Sequence, residues 1–117
     1  MSYVALIEVD MPVGKFWDQI RTNQRVQPVR EERDSCTAKL NTGEYFTVVK
    51  DDSNEVAVVV NLPYDGEDEE LYLRRLTENT LKVFEMIVST IDADAEASIP
   101  EFDELIAERK QPSRAAL

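Results

Sequence analysis

EVAVVVNLPYDGEDEELYLRRLTENTLKVFEMIVSTI, residues 55–91, sets two hydrophobic periods side by side, and the switch between them decides the fold. Val56 to Val60 run almost without a polar interruption, the pattern of an interior strand covered on both faces, and Pro63 ends the run. Further on, Leu73, Leu76, Thr80, Val83 and Ile87 recur every three or four residues, and Phe84, Val88 and Ile91 widen that stripe. The spacing predicts a long helix over 68–91. Between the two patterns lies DGEDEE, residues 65–70, in which every residue but Gly66 is a carboxylate. Asp65 or Asp68 can cap the helix there, and acids in a first turn face the positive end of the macrodipole. Glu70 with Arg74, and Glu78 with Lys82, have the favourable i,i+4 order on the outer face.

Working outward, YVALIEVD (3–10) reads as a strand partly buried on both faces. Asp10 then offers an N-cap and Pro12 a first-turn residue for a helix carrying Val13, Phe16, Trp17 and Ile20. RTNQRVQPVREERD (21–34) is polar and contains Pro28, which predicts a helix end and a connector. SCTAKL (35–40) and EYFTVVK (44–50) form a hairpin through Asn41-Thr42-Gly43, and DDSN (51–54) marks the next turn. SIPEFDELIAERK (98–110) predicts a short final helix: Ser98 and Glu101 have capping-box spacing, Pro100 lies in the first turn, and Phe102, Leu105 and Ile106 give an apolar face. The expected architecture is therefore α+β. A small antiparallel sheet of about four strands, in β-α-β-β-β-α-α order, is packed by the long helix. Residues 1–108 form one domain and 109–117 a flexible basic tail. The N-terminal strand joins the sheet at its edge or beside 56–62.

The chain of 117 residues has a net charge of −11, and the charge is unevenly placed. Residues 65–108 hold fourteen acids against Arg74, Arg75 and Lys82, whereas 1–64 are nearly balanced. Such a body repels nucleic-acid phosphate and lipid headgroups and attracts basic partners at low salt. Direct nucleic-acid and membrane binding are excluded on that ground. No apolar run approaches the ~20 residues of a membrane span, no basic region opens the chain, and the single cysteine fits a reducing compartment, so a cytoplasmic location is expected.

The residue inventory rules out most catalytic machinery. Without histidine there is no Ser-His-Asp or Cys-His arrangement and no imidazole zinc site. One cysteine makes no thiolate cluster, and glycines at 14, 43 and 66 make no phosphate-binding loop. Cys36 reads as a small buried hydrophobe and Trp17 as a core residue. IDADAEASIPEFDEL resembles an EF-hand calcium loop through Asp92, Asp94 and Glu96 at positions 1, 3 and 5. It has Ala97 where the turn needs glycine and Pro100 at position 9, so no metal and no cofactor is expected.

What remains is binding. If the last two helices pack side by side, the acids of 65–70, 92–96 and 101–108 join into one face. The candidate partner-binding residues are Asp65, Glu67, Asp68, Glu69, Glu70, Asp92, Asp94, Glu96, Glu101, Asp103 and Glu104. They suit a non-catalytic inhibitor docking on a basic protein surface, such as that of a nucleic-acid-binding protein, to the extent of mimicking nucleic acid. Phage-encoded inhibitors of defence enzymes and immunity proteins against nuclease toxins have this size and charge. The order of hairpin, "NLP" and acidic helix with Asn79 also resembles the middle of type III secretion chaperones. That resemblance implies the alternative, a small homodimeric adaptor, and the two part where those proteins return to the sheet and EASIPEFDELIAERK here reads as helix.

Overall fold

A computed structural model describes residues 3–50, 55–66 and 68–110. The elements in chain order are β1 (Val4–Pro12), α1 (Val13–Ile20), β2 (Val26–Glu31), β3 (Ser35–Leu40), β4 (Tyr45–Lys50), β5 (Glu55–Asn61), α2 (Glu69–Thr90), β6 (Ala95–Ile99), a 3-10 turn (Pro100–Phe102) and β7 (Glu104–Arg109). The class is α+β as expected, but the sheet is larger. Seven strands stand in the order β2-β3-β4-β5-β1-β6-β7, every neighbouring pair antiparallel.

Two corrections account for the difference. The stretch 21–34 is not a connector throughout: residues 26–31 form edge strand β2, of which only Val26 is buried. An edge strand with one anchored residue has no apolar alternation to betray it. The final helix over 98–110 does not exist either. Ala95, Ala97 and Ile99 alternate into the core, Pro100 opens the 3-10 turn, and Asp103 takes the left-handed conformation (φ 51°) that reverses the chain into β7. Asp tolerates that backbone better than most side chains.

Other expectations hold. β1 pairs with β5, Ile7 opposite Val58, and so lies beside 56–62. On its other side it pairs with β6, Ile7 opposite Ala97, so it is interior and not an edge. The β3–β4 hairpin turns at Gly43 (φ 106°). Asp68 is the N-cap of α2, its Oδ1 accepting from the N–H groups of Glu70 (2.8 Å) and Leu71 (3.3 Å). Asp10, by contrast, caps nothing. β1 continues to Pro12, which precedes α1 with no side-chain cap. The DDSN turn lies outside the described residues. Of the tail expected over 109–117, Arg109 is the last residue of β7, and 111–117 lie outside the described residues.

The sheet is one-sided. Ala5, Ile7 and Val9 of β1, Val56, Val58 and Val60 of β5, Phe46 and Val48 of β4, and Ala95, Ala97 and Ile99 of β6 share one face and are buried. Both helices cover that face, α2 with Tyr72, Leu76, Thr80, Val83, Phe84, Met86 and Ile87, and α1 with Phe16, Trp17 and Ile20. The opposite face, with Val4, Leu6 and Glu8 of β1 beside Asn61, Val59 and Ala57 of β5, has no second layer among the described residues. Thus β1 is fully buried on one face, and on the other only Leu6 is partly covered.

Three polar links fix α2 on the sheet. The Tyr72 hydroxyl, fully buried, accepts from the Tyr3 N–H (2.9 Å) and faces the carbonyls of Leu62 (2.5 Å) and Tyr3 (3.1 Å), tying the helix to the ends of β1 and β5. The Arg109 guanidinium donates to the carbonyls of Val88 (2.6 Å), Ile91 and Ala93 (2.6 Å), so the end of β7 is latched to the C-terminus of α2, where a cation is favoured. Lys82 reaches the buried Glu44 carboxylate (3.5 Å) of the β3–β4 turn instead of the expected Glu78.

Candidate functional site

Strand alternation builds one strongly acidic part of the surface. On β1 the buried residues are odd-numbered, so Glu8 and Asp10 point to the open face. The register places Glu8 opposite Glu96, and Glu96 opposite Glu108. Three glutamates therefore stand in one row across three adjacent strands, about 4.8 Å from strand to strand. Among the described residues none of the three forms an ion pair. With Asp10, Glu55 and Asp94 they border a shallow depression of about 210 Å³, at whose rim Lys110 also stands. Like charges directly opposite each other on a sheet destabilise it.

A second acidic group lies at the other end of β7. There the entrance of α2 and the start of β7 flank an open groove of about 700 Å³, bordered by Asp68, Glu69, Glu70, Glu78 and Glu104, with Leu73 and Arg74. Glu70 and Arg74 are 4.0 Å apart and both well exposed, a weak surface pair. Nearby, the Tyr3 ring packs edge-on against Phe102 (centroids 4.9 Å) and its hydroxyl donates to Glu69 (3.3 Å). Burial, and then the Glu69 carboxylate, push the Tyr3 phenol above its ordinary pKa.

The expected site is therefore regrouped. Asp68, Glu69 and Glu70 meet Glu104 in the groove, and Asp94 and Glu96 meet in the depression. Asp65 is exposed ahead of α2, Asp92 is exposed just past the helix end, and Glu101 and Asp103 are exposed on the turn into β7. Glu67 lies outside the described residues. The two groups do not form a face of paired helices. They flank the β7 edge of the sheet from opposite faces and together rim it, Glu108 opposite Glu96 on the open face and Glu104 opposite the buried Ile99 on the helix face. Glu8 and Asp10 belong to the site and were not singled out by sequence, and Glu108 fell within the expected acidic stretch 101–108 without being named a candidate. Reading 104–109 as a strand would have brought out Glu108, because its partner in register is Glu96.

Asp68 is already engaged as the helix cap, so part of the DGEDEE cluster has a structural use. Residues 92–103 are not folded as a calcium loop: Ala95–Ile99 is strand, and no three acidic or cysteine side chains among the described residues are grouped as metal ligands. Cys36 is half-buried, its thiol pushed up by burial and by Glu31. Trp17 is buried, its Nε1–H donating to Glu31 (2.9 Å) across to the β2 edge, as a core residue with one polar tether. No helix among the described residues is long and apolar enough to cross a membrane.

Comparison with protein-family models, with characterised proteins and with solved structures found no match.

Proposed function

We propose that this chain is a non-catalytic protein-binding module that docks its acidic β1–β6–β7 rim on a basic protein surface, as an inhibitor of a nucleic-acid-handling enzyme does when it occupies that enzyme's phosphate-binding groove. The observation that carries the reading is the Glu8–Glu96–Glu108 row. Three like charges opposite one another cost folding free energy that a single lysine at Glu96 would recover. A sequence that keeps such a local conflict keeps it for something outside the fold, and a basic partner supplies the missing counter-charge.

The test compares two triple variants of equal net charge. One neutralises the row (Glu8→Gln, Glu96→Gln, Glu108→Gln). The other neutralises exposed acids elsewhere (Asp18→Asn, Asp34→Asn, Glu85→Gln). Each is immobilised, loaded with host lysate and eluted in a salt gradient. Basic proteins retained by wild type and the second variant but lost by the first are the expected outcome. Equal retention by both would reduce the charge to a solubility device and refute the reading.

A further inference from the structure

We infer that the basic partner binds as an extended segment, adding a strand to the free edge of β7. This rests on the acidic-binder reading and goes beyond it by naming the mode of docking.

Among the described residues the sheet has two edges, β2 and β7. β2 is blunted: Pro28 has no N–H to offer, and the register breaks between Pro28 and Arg30. β7 contains no proline. Which of its backbone groups face outward follows from a single hydrogen bond. The Asp10 N–H donates to the Asp94 carbonyl (2.9 Å), in phase with the Glu8–Glu96 register. Even-numbered residues of β6 therefore bond β1, and odd-numbered ones bond β7. Ala97 with Ala107 and Ala95 with Arg109 are then the bonded pairs. Glu108 must present its N–H and C=O to the free edge. Beyond the bulge at Ile106, Leu105, opposite Ser98, does the same.

The surroundings of that edge select the occupant. On the open face an added strand would run beside Glu108, with Glu96 one strand further in. On the helix face its alternate side chains would hang over the groove bordered by Glu70, Leu73, Glu78 and Glu104. Successive side chains of a strand point to opposite faces, so both sets meet carboxylates, with Leu73 and the half-exposed Leu105 offering apolar contact between them. The matching ligand is an extended peptide rich in Lys or Arg with small or β-branched residues interspersed. Main-chain bonds to Leu105 and Glu108 supply register, and the acids supply selectivity. A second copy of β7 fits poorly, because two acidic edges repel.

The experiment uses the synthetic nine-residue peptide Lys-Lys-Val-Lys-Lys-Thr-Lys-Lys-Val, which carries lysine on both faces of the strand, labelled for fluorescence anisotropy and titrated at low salt. Two further versions carry N-methyl groups on the odd or the even amides. N-methylation removes donors from one edge of the strand and leaves charge unchanged. One methylated version is expected to bind at least about tenfold more weakly than the parent and the other within about twofold. The amides of Leu105 and Glu108 should gain protection from hydrogen exchange on binding. Leu105→Pro, which removes an N–H making no internal bond and no charge, should weaken the parent peptide about as much. Equal binding of all three peptides with no protection at Leu105 or Glu108 would overturn strand addition. If Glu108→Gln and Glu104→Gln still weakened binding, the acidic-binder reading would stand alone. No binding by any of the peptides would overturn strand addition, while the lysate comparison decides the acidic reading separately.

Discussion

Glu96 is the middle member of the glutamate row, so replacing it with glutamine removes two repulsions at once and leaves shape and hydrogen-bonding capacity nearly unchanged. With carboxylates about 6 Å apart, Coulomb's law in a water-like dielectric gives about 0.7 kcal/mol for each neighbour. Screening leaves most of this at 10 mM salt, about half at 150 mM and very little at 1 M, where the Debye length is ~3 Å. Glu96→Gln should therefore raise unfolding free energy by about 1 kcal/mol at low salt, or roughly 3–5 °C in Tm. The gain should fall toward zero as salt is added. Urea melts at three salt concentrations, with Glu85→Gln on the exposed side of α2 as the control, measure it. A salt-independent gain would assign the effect to strand propensity. A loss of stability at low salt would mean that Glu96 has an intramolecular counter-charge, and the row would no longer support the proposed function.

Three other outcomes test the scaffold that holds the rim. Tyr72→Phe should cost about 2–3 kcal/mol in a denaturant melt, because it leaves a buried N–H and a carbonyl without their partner; a cost below ~0.5 kcal/mol would show that water replaces the hydroxyl. Val83→Asp places a charge at a fully buried position of α2 and should unfold the domain, so near-normal melting would remove that helix face from the core. Tyr3 has its folded pKa raised by burial and by Glu69, so the unfolded chain ionises first; the stability this gives is complete below pH ~10 and is lost as pH rises through the folded value. Tyr3→Phe should flatten the alkaline fall in urea midpoint, and an unchanged slope in that variant would refute the assignment.

The long helix and the hairpin at Gly43 were legible because each has a strong local signal, a wide stripe and a turn glycine, while the run of valines marked β5 as interior but left β1 either at the sheet edge or beside it. β2 and the β6–β7 hairpin were not, for different reasons. β2 is an edge strand, and its one buried residue leaves no alternation to read. In β7 the bulge at Ile106 puts Leu105 and Ile106 side by side, which breaks the period of two and imitates a helical face. β6 buries two alanines, whose small side chains give weak contrast with their polar neighbours. The acidic site shared that fate. Its α2 half lies in one contiguous stretch and was visible. Its sheet half draws Glu8, Glu96 and Glu108 from three strands, and only the register joins them.

The interior position of β1 has a consequence for assembly of the fold. β2, β3, β4 and β5 pair with one another in sequence order, so that meander can form locally and early. β1 pairs Val9 with Val56 on one side and Leu6 with Ser98 on the other. Both closures span long stretches of chain, which slows folding. During synthesis, YVALIEV emerges ahead of both partners and stays an open, sticky strand until the last hairpin arrives to cover its second edge. Refolding should then wait on the docking of β6–β7, which encloses β1 last.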